Sequence, residues 1–122
     1  MRVTKQQIVN GIVSYIESEV LPQVDDRSVK ILASIAIKSI QSNSKMQDMI
    51  FANLVVKTLL IEDESGTYEI DELFRVVSES IDQYGSFPVE IPPIPLISPS
   101  QKTLSFNGQD IAEMKRRIER SN

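Results

Sequence analysis

Residues 4–22, Thr4-Lys5-Gln6-Gln7-Ile8-Val9-Asn10-Gly11-Ile12-Val13-Ser14-Tyr15-Ile16-Glu17-Ser18-Glu19-Val20-Leu21-Pro22, carry the pattern on which the fold class turns. Thr4 and Gln7 have the T-x-x-Q spacing of a capping box, in which each side chain satisfies the other residue's backbone N–H at a helix start. Val3 and Ile8 occupy the flanking positions of a hydrophobic staple, so the spacing predicts a helix from Lys5. Ile8, Val9, Ile12, Val13, Ile16 and Val20 recur at intervals of three and four and form one apolar stripe, with Gln6, Asn10, Glu17 and Ser18 on the other face. Pro22 cannot donate a backbone hydrogen bond and ends the run.

The same signals continue outward along the chain. Asp25 and Asp26 offer an N-cap for a second helix. Val29, Leu32, Ala33, Ala36, Ile37 and Ile40 line one of its sides, and Ile31 and Ile35 line another. A helix apolar on two sides is expected at the centre of a bundle. Ser44 and Gln47 read as a second capping box, opening a helix over 45–60 with an apolar face of Met46, Met49, Ile50, Leu54, Val55 and Leu59. Met46 and Met49 read as core gap-fillers. A fourth helix is predicted over 71–84, with Leu73, Phe74, Val77, Ile81 and Tyr84 on one stripe and Gly85 as its C-cap.

Beyond Gly85 the texture changes. Pro88, Pro92, Pro93, Pro95 and Pro99 are five of the six prolines; they exclude a helix and favour extended backbone. The segment is nonetheless apolar, since Phe87, Val89, Ile91, Ile94, Leu96 and Ile97 are six large side chains. Leaving each in water forfeits roughly 1.5–3 kcal/mol, so this strap is expected to dock on its own fold or on another chain. Thr103 to Phe106 alternates like a short strand. Asn107 is placed to cap a final helix, with Phe106 and Ile111 as its staple and Ile111, Met114 and Ile118 on one stripe. The fold class expected is mainly α: a four-helix core over 1–85, then over 86–122 the strap, minor short β pairing and a terminal helix, all in a single domain of 1–122.

Composition narrows the chemistry. The 122 residues include no His, Cys or Trp, which removes Ser-His-Asp and Cys-His nucleophiles, an imidazole base, zinc sites of N and S ligands and disulfides. A chain of this length is sufficient for one core, burying about two thirds of its unfolded surface. Residues 1–10 are polar with no apolar run after them, and the longest apolar stretch, 29–40, contains Lys30 and Lys38. Neither a leader nor a membrane span is expected, and the location expected is cytoplasmic.

Two charged clusters are candidate sites. Residues 62–82 hold eight carboxylates against Arg75, a local net charge of −7. Aligned on Gly66 as the sixth position of a calcium loop, the segment sets Asp63, Ser65, Glu69 and Glu72 at positions 3, 5, 9 and 12. Position 1 would be Ile61, which cannot supply the required oxygen, so a solvated turn is the favoured reading, with Asp71 and Glu72 stabilising a helix N-terminus. The alternative keeps Ca2+ binding, or a small carboxylate enzyme, at these acids. Lys115, Arg116, Arg117 and Arg120 could neutralise nucleic-acid phosphates. Cations at a helix C-terminus are also explained by the helix dipole, and no aromatic residue is interleaved for base stacking. The PxxP of Pro92-Pro93-Ile94-Pro95 lacks flanking basic residues and is a poor SH3-type ligand. None of these patterns calls for a cofactor.

An ordered set of features, Glu19-Val20-Leu21-Pro22, a Gly66 turn, Tyr84-Gly85, Ile91-Pro92-Pro93-Ile94-Pro95, Leu104-Ser105-Phe106, Asp110-Ile111 and Lys115, resembles small uncharacterised proteins of bacterial and prophage-type gene sets. The resemblance brings no catalytic motif and implies an assembly or phage-associated interaction role, virion-associated if phage-encoded. The function expected is therefore non-enzymatic protein–protein contact, self-association as a homo-oligomer included. The strap residues Phe87, Val89, Ile91, Ile94, Leu96 and Ile97 and the final helix are the expected exchangeable arm.

Overall fold

A computed structural model describes residues 1–58, 64–90 and 103–120. Strand β1 (Arg2–Thr4) leads into helix α1 (Lys5–Tyr15). The capping box forms as read: Gln7 N–H donates to Thr4 Oγ1 at 3.2 Å and Thr4 N–H to Gln7 Oε1 at 2.7 Å. Both staple residues, Val3 and Ile8, are fully buried. Beyond Tyr15 the backbone widens into a π-helical turn, Ile16–Val20, and then tightens into a 3-10 turn, Leu21–Gln23, that contains Pro22. The helix thus ends at the proline, after a change of winding that keeps both Ile16 and Leu21 inside.

Helix α2 (Arg27–Ser42) starts at Asp26, whose Oδ1 accepts from Ser28 N–H at 2.9 Å and Val29 N–H at 3.1 Å. Helix α3 (Ser44–Thr58) departs from the reading at its start. Asn43 caps it instead of Ser44, its Oδ1 accepting from Lys45 N–H at 3.0 Å and Met46 N–H at 3.3 Å. Gln47 is consequently free of the capping box and is buried, donating through Nε2 to Ile40 O and Gln41 O at 3.0 Å each. One side chain of α3 so binds two carbonyls in the last turn of α2, which ties the two helices together. Leu59 and Leu60 lie outside the described residues.

Strand β2 (Thr67–Glu69) pairs antiparallel with β1, Val3 opposite Tyr68. Helix α4 (Ile70–Tyr84) follows at once and ends at Gly85, whose φ of 82° needs a residue without a Cβ. Strand β3 (Phe87–Glu90) pairs antiparallel with β4 (Thr103–Phe106), Phe87 opposite Phe106. Helix α5 (Gly108–Arg120) closes the chain order, opened by a reciprocal box: Asp110 N–H donates to Asn107 Oδ1 at 2.9 Å and Asn107 N–H to Asp110 Oδ2 at 2.8 Å. The architecture is mainly helical with two small antiparallel strand pairs, and no helix among the described residues is long and apolar enough to cross a membrane.

The centre of the fold is α1, not α2. Its stripe is buried from Ile8 to Ile16, and Gly11 and Tyr15 are buried as well, because α5 lies across them while α2 and α3 take other sides. Gly11 permits that crossing: a Cβ on it would stand 2.2 Å from Ile118 Cγ1 and 3.2 Å from Ile118 N. Ile111, Met114 and Ile118 of α5 and both Phe87 and Phe106 belong to the core cluster. The helix read as an exchangeable arm is thus part of the chain's own core. Five positions expected inside are more than half exposed: Ile31, Leu32 and Ile35 of α2, Met49 of α3 and Tyr84 of α4.

Candidate functional site

Of the candidate calcium ligands, Ser65, Glu69 and Glu72 are engaged within the chain. Ser65 Oγ lies 2.8 Å from Thr67 Oγ1. Glu69 receives the Met1 ammonium at 2.7 Å and accepts from Asp71 N–H at 3.4 Å as the N-cap of α4. The hydrogen bond from that ammonium holds the Glu69 carboxyl below its ordinary pKa. Glu72 is a turn further on, paired with Arg75 at 3.1 Å. Asp63 lies outside the described residues. Among the described residues no group of three or more acidic side chains converges as a metal cage would require. Strand β2 is bound to β1 in the segment where a calcium loop would wrap its ion.

Three of the four candidate basic residues of α5 face acids. Lys115 reaches Asp71 at 3.2 Å and Glu119 at 3.9 Å, and Arg116 meets Glu113 at 2.5 Å. Arg117 donates to Glu19 Oε1 at 3.1 Å and to Ser14 O at 3.2 Å, and its guanidinium lies 5.7 Å from the Tyr15 ring centroid. Arg120 is exposed near Asn10, Gly11 and Ser14. A phosphate would have to displace carboxylates from the first three of these cations. Of the strap residues, Phe87 is buried in its own chain, while Ile91, Ile94, Leu96, Ile97 and the side chain of Val89 lie outside the described residues.

One polar cluster links α1 to α5. Tyr15 Oη donates to Asp110, the residue that also completes the cap of α5, and the Tyr15 ring meets Phe106 edge-on at 5.9 Å. Burial first, and then the hydrogen bond to Asp110, raise the Tyr15 pKa above its ordinary value near 10. A phenol held protonated is unsuited to act as a base at neutral pH, so the cluster is a clamp between helices. The sign of its pH dependence follows. The unfolded chain ionises Tyr15 from about pH 10 while the folded chain does not, so this contribution is complete below pH 10 and declines as pH rises beyond it. Tyr15→Phe is expected to cost about 1–2 kcal/mol at neutral pH and to fall less steeply than the parent in urea melts between pH 8 and 11. Parallel curves for the two proteins would show that Tyr15 is not held neutral.

A groove of about 460 Å³ runs between α4 and α5, floored by Phe74, Ile81 and Ile111 and rimmed by Asp71, Arg75, Asp82 and Lys115. Two of its rim charges, Asp71 and Lys115, already pair with each other across it.

The outward face of α2 differs from all of these. At 100° per residue, Ser28, Ile31, Leu32, Ile35, Ser39 and Ser42 fall within about 100° of arc, opposite the buried Ala33, Ile37 and Ile40. All six are exposed, with Ile31, Leu32 and Ile35 retaining 53%, 55% and 58% of their accessible surface. The arc holds no charged residue; Arg27, Lys30 and Lys38 lie outside it. The two-sided apolar pattern of α2 was legible in the sequence, but it predicted burial. Position 32, read as part of the buried side, belongs with Ile31 and Ile35 on the outside.

These elements define the class by architecture alone: a mainly helical chain with two small strand pairs and, among the described residues, an exposed apolar helix face. No family model matches the chain, and neither a curated protein nor a solved structure matches it.

Proposed function

We propose that this protein works by protein–protein contact in an assembly, not by catalysis, and that the outward face of α2 makes the contact. The observation that carries this reading is the exposure of Ile31, Leu32 and Ile35 side by side on one helix. Single exposed aliphatic residues are ordinary on protein surfaces, whereas a contiguous group rimmed by polar residues marks an interaction surface. Complete burial of such a side chain is worth roughly 1.5–3 kcal/mol, and each of these three keeps about half of that to gain from a partner. The polar clusters give weaker support to catalysis: Tyr15 is held neutral, and Glu69, Glu72, Lys115 and Arg117 have partners within the chain. An assembly role is in keeping with the likeness to prophage-type proteins.

The reading is tested by placing a benzophenone photo-cross-linker at position 35, and at exposed Gln83 of α4 as control, in cells that make the protein. A covalent protein adduct is expected from position 35 and not from position 83. Absence of any adduct from position 35, in protein that melts like the parent, overturns the reading.

A further inference from the structure

We infer that the occupant of the α2 face is a second copy of this chain, packed antiparallel across a two-fold axis beside Ile35; this rests on reading α2 as a contact face. A two-fold interface sets one patch against itself, so any charge at its centre confronts its own like charge. The arc from Ile31 to Leu32 carries none, which removes that obstacle. A charge-free patch also offers no electrostatic handle to a partner of different charge.

The serines supply the second argument. Ser39 Oγ donates to Ile35 O at 3.2 Å, and Ser42 Oγ lies 3.2 Å from both Lys38 O and Ser39 O. Their hydroxyl donors are already satisfied within the helix, so covering them with another apolar surface leaves no donor stranded. Their small size lets a second helix come close. With the axis beside Ile35, Leu32 of each copy lies over Ser39 of the other, three residues on one side matching four on the other. Ser28 lies over Ser42, each seven residues or about 10 Å from the axis. Leu32 thus meets the small Ser39 at a corresponding height, and the two serines at each end let the backbones approach. Lys38 falls at the rim on the side of Ile31, where its methylene stem can cover that residue while the ammonium stays in water.

The contact is small. A 16-residue helix is about 24 Å long and about 10 Å wide, well under the roughly 800 Å² per partner of a standard interface. A weak, reversible dimer is expected, with Kd on the order of 10–100 μM.

Sedimentation equilibrium of the full chain from about 10 μM to about 1 mM tests it, with Leu32→Glu and Ser39→Lys as variants. Both positions are exposed, so circular dichroism melts should match the parent. The parent is expected to pass from monomer to dimer across the range. Each variant alone is expected to dimerise at least tenfold more weakly, and an equimolar mixture to recover much of the association, because one of the two Leu32–Ser39 contacts becomes a Glu–Lys pair. A parent that stays monomeric, or a dimer unaffected by Leu32→Glu, overturns the inference; variants that are weakened but not restored by mixing overturn its antiparallel register. Cross-linking at position 35 separates the two readings. An adduct with a different protein, or within the chain itself, refutes the second copy. The different protein leaves the contact face standing; absence of both dimer and adduct removes both.

Discussion

A chain that stops after Asn107 is expected to show no cooperative thermal transition. Helix α5 contributes Ile111, Met114 and Ile118 to the core, at 6%, 2% and 0% exposure. Emptying a buried site of this kind costs about 2–5 kcal/mol, and here three are emptied together. Their sum is comparable to the whole stability of a domain, about 5–15 kcal/mol. The truncation also uncovers Gly11 and strips Tyr15 of its Asp110 partner. Far-UV circular dichroism on heating is the measurement, with Ile118→Asp in the full chain as a milder probe in the same direction. A truncated chain that melts cooperatively within a few degrees of the parent would show that α5 is dispensable. The same geometry bears on any test of self-association that deletes 87–122, since such a deletion removes core and arm together.

Gly11→Val is expected to destabilise the protein by about 3 kcal/mol or more, at the top of the range for overpacking, and Gly11→Ala by about 1–3 kcal/mol. Helix propensity alone points the other way, because alanine in a helix interior is worth about 1 kcal/mol over glycine. The crossing of α5 decides the sign. A Cβ on Gly11 would lie 2.2 Å from Ile118 Cγ1, which could rotate aside, but also 3.2 Å from Ile118 N and 3.3 Å from Ile118 Cα, which can move only with the helix. For a chain of this size each kcal/mol moves Tm by about 3–6 °C. Ile118→Ala removes the nearest atom, so Gly11→Ala should cost less in that background, with a coupling on the order of 1 kcal/mol. A stabilised Gly11→Ala would show that the two helices do not approach this closely.

Local signals in the sequence located most elements and failed at identifiable places. The box at Thr4–Gln7, the caps at Asp26 and Asn107 and the turn at Gly85 need only residues within a few positions of one another, so spacing alone predicts them. Asn43 stands one residue before Ser44 and is an equally good cap. Choosing between them also assigned Gln47, whose partners Ile40 and Gln41 belong to the preceding helix. Strand β1 is three residues long, and its pairing with β2 spans more than sixty positions, so no local pattern announces it. The candidate calcium and phosphate residues were legible as charges, while their pairings with Met1, Asp71, Glu19 and Glu113 depend on which elements meet. Arg117 reaches Glu19 only because α5 crosses α1.

The periodicity of α2 is the most instructive division between the two levels. That the stretch after Asp25 and Asp26 is a helix with two apolar sides was legible from its residues, because side-chain spacing and an Asp cap are properties of the segment alone. Which side is buried was decided by the tertiary structure. Glycine at position 11 lets α5 approach the backbone of α1, so α1 is covered by helices on several sides and takes the centre. Helix α2 is left at the edge, with Ile31, Leu32 and Ile35 turned outward. Hydrophobic burial has no direction of its own, so an apolar stripe specifies that it be covered and leaves to the packing of the other helices what covers it.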